Sequence, residues 1–169
     1  MDPAKIQALE DRLGHNFTDR KKLYQALTHS TFSNVEKKKQ VGARDCPHQE
    51  AYAVLGDAIL KTVFVWMLMD RGHTTKGDIT KLKEDLENNL KLAEVGKRLR
   101  LLEDELFIHN VGSEEKLREG ADTYYSDTVE ALIGAIFIDS KFNFSMTRNS
   151  ISKIFAQELA NLERDVSNC

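Results

Sequence analysis

Four acidic side chains stand in two stretches that are otherwise apolar. HQEAYAVLGDAIL at 48–60 carries Glu50 and Asp57, and DTVEALIGAIF at 127–137 carries Asp127 and Glu130. A helix turns about 100° per residue, so Glu50 and Asp57 fall within about 20° of one line, with Ala53 between them on the same stripe. Asp127 and Glu130 are likewise neighbours on one helical face. Both pairs fall where the apolar pattern predicts burial, and a buried carboxylate needs a partner. Lys and Arg are absent from 49–60 and from 122–140. If the two helices face each other, three or four carboxylates converge without local positive charge. A hard divalent cation such as magnesium neutralises that arrangement through oxygen ligands. Such an ion activates water and offsets charge on phosphate oxygens. The same residues also admit a structural reading. Asp57 then bonds a neighbouring backbone group, Asp127 acts as an N-cap beside Ser126, and Glu130 faces solvent. The pattern alone names no substrate.

The elements that must position these residues are helices. Asp2-Pro3 is a cap followed by proline at the first helical position, Ile6, Leu9 and Leu13 line one face, and Gly14 ends the helix. Thr18 is placed to cap a second helix carrying Leu23, Ala26 and Leu27. The spacing predicts a long helix from about His48 to Asp70, apolar nearly all round and therefore central. One or two amphipathic helices are predicted over 78–99, a strongly apolar one over 121–139 and a last amphipathic one over 143–163. Residues 33–47, and the polar stretch bracketed by Gly112 and Gly120, read as loops. No strand, repeat or low-complexity tract is evident, so the fold class is all-α.

The chain has 169 residues, 41% hydrophobic and 30% charged, enough for one domain with a core. The longest apolar run, Val63–Met69, falls well short of the ~20 residues a bilayer crossing needs, so no membrane partner is expected. The N-terminus lacks a signal pattern. Two cysteines, Cys46 and Cys169, make no disulfide framework, which points to a reducing, cytoplasmic setting. A net charge of −3 does not advertise nucleic-acid binding, so any such site is local. The basic runs Lys37–Lys39 and Lys97–Arg100 read first as solvated surface and second as phosphate contacts. His29 reads as a hydrogen-bonded structural residue, His48 as a cap or surface group, and Tyr124-Tyr125 as packing. No zinc spacing, glycine-rich phosphate loop or nucleophilic triad can be assembled, and no small-molecule cofactor is implied.

Four stretches resemble the catalytic domain of ribonuclease III: FTDRKKLYQALTHSTF at 17–32, QEAYAVLGDAIL at 49–60, GDITKLKEDLENNLKLAEVGKRL at 77–99 and SDTVEALIGAIFID at 126–139. LGDAIL alone is a weak signal, but paired with DTVEALIGA at this distance it is specific. The resemblance implies a single ribonuclease III endonuclease-domain-like helical fold; bacterial members of the family carry a double-stranded-RNA-binding domain after it, and no segment of this sequence fits one, so none is expected in 1–169. It implies a homodimer that cleaves double-stranded RNA with magnesium, or manganese in its place, leaving 5′-phosphate and 3′-hydroxyl ends. Position by position, Asp57, Asp127 and Glu130 match the family's metal-holding acids. Glu50 matches the glutamate that assists the site, so the catalytic set is Asp57, Glu130 and Glu50.

Three positions depart from the resemblance. Ala53 stands where the family has a second metal-binding glutamate. Val54 replaces the aromatic that plugs into the partner subunit. Lys76 replaces a glutamate before Gly77. Three readings follow: an active endoribonuclease, a weakened or inactive dimer that binds structured RNA or a ribonucleoprotein partner, and, apart from the resemblance, a carboxylate-metal hydrolase acting on nucleotides.

Overall fold

The computed structural model describes residues 2–32, 47–108 and 121–167, with side chains to 162. Helix α1, Pro3–Leu13, starts where Asp2 accepts a bond from Ala4 N and stops at Gly14, whose φ of 67° only glycine adopts cheaply. Helix α2, Arg20–Ala26, is capped by Asp19 rather than by Thr18. The Thr18 amide is engaged instead by Asp139, 2.9 Å away. Helix α3 is Glu50–Asp70. The stretch over 78–99 resolves into α4, Lys76–Glu87, and α5, Asn89–Arg98. Asn88 divides them with an extended backbone, and its side chain caps α5 through Lys91 N. Helix α6 is Ala121–Asp139. The last predicted helix is two, α7 at Phe144–Ile154 and α8 at Ala156–Ser167. They break at Phe155, whose ring is wholly buried edge-on against Phe64.

Among the described residues there is no strand, only a bridge between Thr28 and Ile108. Residues 33–46 and 109–120, which hold Lys37–Lys39, Cys46 and most of the stretches read as loops, lie outside the described residues, as does Cys169.

The axis of the molecule is α6, not the 48–70 helix. It packs against α2, α3, α5 and α7, and its side chains from Tyr125 to Ile136 are buried on nearly every face. Helix α3 is half core and half surface. Ala53, Gly56, Leu60, Val63, Phe64, Met67 and Leu68 face inward, while Val54, Trp66 and Met69 are exposed. By length and composition α3 could cross a membrane, with a mean hydropathy of 1.6, contrary to the expectation that no stretch could. Its apolarity has a nearer use, since its inner face fills the core against α6.

Where α3 crosses α6 the backbones nearly touch. A Cβ on Gly56 would lie 1.8 Å from the Glu130 carbonyl oxygen, and one on Gly134 would lie 2.2 Å from the Tyr52 carbonyl oxygen. Each helix supplies its glycine at the crossing, and no side chain fits between them.

A second anchor holds α1 and α2 to the far end of α6. Asp139 is buried and bonds His15 Nε2 at 2.9 Å, Thr18 N at 2.9 Å and Asp19 N at 3.0 Å. Burial would raise its pKa, but the bonds from Thr18, His15 and Asp19 more than offset this and hold it below the usual carboxylate range. Glu10 does similar work inside the α1–α2 turn, accepting from Phe17 N at 2.9 Å and pairing with Arg20 at 2.6 Å.

Candidate active site

The glycine crossing fixes what stands beside it. Asp57 follows Gly56 on α3, and Glu130 is the α6 residue whose carbonyl meets that glycine. One turn earlier, Asp127 on α6 faces the start of α3, where Glu50 projects. The start of α3 is tied down from two sides. The buried Gln49 Oε1 accepts from Thr128 Oγ1 at 3.0 Å, and Gln49 N donates to the Thr28 carbonyl at 2.9 Å. Glu50, Asp57, Asp127 and Glu130 thus line one open cleft of about 580 Å³, together with His29, Gln49, Ala53 and Val54.

The four carboxylates do not share one environment. Glu50 is largely exposed at the cleft mouth, and Asp57 is more than one-third exposed, so the burial that the apolar pattern predicted holds for neither. Asp127 and Glu130 are half-buried. Burial, then the negative charge of Glu50, raises the pKa of Asp127. Burial, then Asp57 and Asp127, pushes Glu130 up to about 7. The charge balance is also not wholly negative. Lys61, one turn beyond Asp57 and just outside the stretch that lacks basic residues, pairs with Asp57 Oδ2 at 2.7 Å.

The donor set suits a hard cation, because every candidate ligand is a carboxylate oxygen, and burial with the neighbouring acids resists ionisation of Glu130. Among the described residues, however, no three acidic, histidine or cysteine side chains are gathered closely enough to hold an ion between them. The acids converge on one cleft in rotamers that leave Asp57 with Lys61.

Ala53 is buried in the cleft lining, on the stripe between Glu50 and Asp57, so the position where the resemblance expects a glutamate does face the site. Lys76 is the exposed first residue of α4, beside the Thr75 cap, whose hydroxyl accepts from Asp78 N at 3.2 Å. Sequence reasoning missed Gln49 as a cleft residue and treated His29 as structural alone. His29 borders the cleft while its ring packs on Tyr124 at 4.4 Å and its Nδ1 lies 2.9 Å from Thr31 Oγ1. The ALTHS segment was the available signal. Tyr125 is core, packed on Phe107 and on Gly96. The basic run at 97–100 is occupied within the chain: Lys97 with Asp122, Arg98 with Glu158, and Arg100 with Asp104. Among the described residues, His48 Nδ1 is buried without a hydrogen-bond partner, 3.9 Å from Glu50, and α3 has no side-chain cap.

A family profile described as Ribonuclease-III-like matches residues 19–158. Ribonuclease 3 of Bordetella avium is 33% identical over 162 residues, 94% of this chain and 57% of that protein. Ribonuclease 3 of Bordetella pertussis is 36% identical over 146 residues, 84% of this chain and 50% of that protein. The chain therefore spans about half the length of these curated relatives. Two structures of the nuclease domain of ribonuclease III from Campylobacter jejuni superpose on it. One has a TM-score of 0.73 at 27% identity, covering 93% of this chain and 97% of that one. The other has a TM-score of 0.72 at 29% identity, covers 89% and 99%, and is described by structural flexibility in a region involved in dimer formation.

Proposed function

This chain belongs to the ribonuclease-III-like family, and from that footing we propose that it is a divalent-metal-dependent endoribonuclease acting on double-stranded RNA. One observation carries the proposal: acids from two helices, brought together by a side-chain-free crossing, line a single cleft in which burial and the charges of Asp57 and Asp127 resist ionisation of Glu130. Asp57, Asp127 and Glu130 are the residues that would hold the cation. When bound, a divalent ion supplies Lewis acidity for phosphate oxygens and for a water.

The chain's own residues do the rest. Glu130, held at about 7 by burial and the neighbouring acids while no cation is bound, gives up its proton when it takes the cation, so loading is favoured as pH rises. Glu50 at the cleft mouth orients the attacking water. The wide, open cleft admits a phosphodiester backbone rather than enclosing a small ligand. Water adds to phosphorus, the bond to the 3′-oxygen breaks and that oxygen takes up a proton, which leaves 5′-phosphate and 3′-hydroxyl ends. The exposed apolar stripe on α3 supports a homodimer, with Val54 at the position of the family's partner-facing aromatic.

The test is cleavage of a long perfect RNA duplex with magnesium. Asp57→Ala and Glu130→Ala are expected to abolish product while far-UV circular dichroism stays unchanged. Wild-type cutting by either variant would overturn the role assigned to that residue. Ala53 favours a second reading, a dimer that binds structured RNA and cuts poorly or not at all. Duplex binding without product would decide for it, and restored cleavage by Ala53→Glu would trace the defect to that one carboxylate.

A further inference from the structure

Two groups beside the cleft have no part in the scheme above. The first is Lys61, an ammonium set on the edge of an acidic site. Its Nζ lies 2.7 Å from Asp57 Oδ2, in a pair that is 48% and 38% exposed. Glu87 and Glu130 both act on it through space and favour its charged form. The second is Glu87 itself, the last residue of α4, whose side chain is only 14% exposed. One of its oxygens accepts from Lys83. The other, Oε2, is buried with no hydrogen-bond partner among the described residues. A buried carboxylate oxygen left in that condition calls for an explanation.

We propose that Lys61 is a resident counter-ion that occupies Asp57 until a divalent cation loads, and that Glu87 Oε2 is the acceptor to which its ammonium then turns. The inference rests on the reading of Asp57, Asp127 and Glu130 as the cation's ligands. Without a cation the cleft acids repel one another, and Lys61 offsets part of that repulsion. A lysine ammonium is a point charge on a flexible four-carbon stem, so it changes partners by side-chain rotation alone. A cation and an ammonium cannot both take the same lone pairs of Asp57. Lys61 therefore lowers the cation's affinity, and Glu87 limits that loss by giving the displaced ammonium somewhere to go. The alanine at 53 makes this competition matter more, because fewer carboxylates are left to hold the cation against it.

Calorimetric titration of magnesium alone into the folded chain, without RNA, tests the idea. Lys61→Gln is expected to tighten magnesium binding roughly fivefold, the strength of an exposed ion pair removed from competition. Lys61→Arg, which keeps the cation, is expected to bind as wild type. Glu87→Gln is expected to weaken binding in the wild-type background and to have a clearly smaller effect when Lys61 is already glutamine. Circular dichroism confirms that each variant is folded. Two results would overturn the proposal: Lys61→Gln binding no tighter than wild type, or Glu87→Gln weakening binding equally in both backgrounds, which would make Glu87 a direct ligand. Failure of the underlying site has a separate signature, in which Asp57→Asn and Glu130→Gln take up magnesium as wild type does.

Discussion

Glu130 is where the electrostatics of the cleft can be read most directly. Burial, Asp57 and Asp127 together lift its pKa from 4.5 to about 7. Between those values the native chain holds a proton that the unfolded chain releases, so stability present below the lower value is lost as pH rises through the upper one. Metal-free protein should therefore be less resistant to urea at pH 8 than at pH 5.5. The contribution of this group is about 1–2 kcal/mol once screening from its open side is allowed for. Glu130→Gln should flatten that slope. Magnesium should flatten it too, by favouring the ionised carboxylate. Paired urea titrations at the two pH values, with and without magnesium, measure both effects. An unchanged slope in Glu130→Gln would place the titration on another residue.

At the scale of the helices, the α3–α6 crossing is the feature on which the site depends. Gly56→Ala puts a methyl group 1.8 Å from a backbone oxygen, and backbone cannot move aside as a side-chain end can. The helices must part, at a cost of about 2–3 kcal/mol or more. Asp57 then leaves Glu130, so stability and cleavage should fall together, in contrast to Asp57→Ala, which should lose cleavage alone. Thermal unfolding beside a cleavage assay separates the two. Two helices were legible in the sequence, one from its Asp2-Pro3 start and Gly14 stop, the other from its unbroken apolar run. Asp2-Pro3 to Gly14 and the 121–139 segment match the structure closely. The breaks at Asn88 and Phe155 were not, because the apolar period runs through both and only tertiary packing shows where each helix turns. The Lys61–Asp57 pair follows the ordinary i,i+4 rule, but Lys61 stands one residue past the 49–60 stretch whose lack of basic residues suggested an uncompensated site. Asp139 was invisible for a different reason. An acid at a helix end looks solvated, and its partner His15 is 124 residues away. Removing that acid strands buried donors on His15, Thr18 and Asp19, so Asp139→Ala should cost about 3 kcal/mol or more in denaturant unfolding without altering the cleft acids.

The whole molecule has a net charge of −3 and an open acidic cleft, a poor platform for duplex RNA as a single copy. In the proposed homodimer two clefts would lie along one duplex, where A-form shape and phosphates could be read over a longer span. The surface proposed for it is on α3. Val54, Ala58, Thr62, Val65 and Met69 fall within about 80° on one side of the helix, and Val54 and Met69 are 73% and 57% exposed. Trp66, at the edge of that stripe, is already partly covered within the chain, with the Arg148 guanidinium 4.1 Å above its ring. Val54 is therefore the residue to change. A carboxylate there would be buried unpaired against its symmetry mate, so Val54→Asp should shift the assembly from dimer to monomer in sedimentation velocity. Val54→Phe should hold the dimer at lower concentration by adding apolar area. Val54 also lines the cleft, so activity alone cannot separate the two effects. The discriminating pair is sedimentation with magnesium titration. Val54→Asp should be monomeric yet still bind magnesium, and a monomeric wild type would remove the dimer from the proposal.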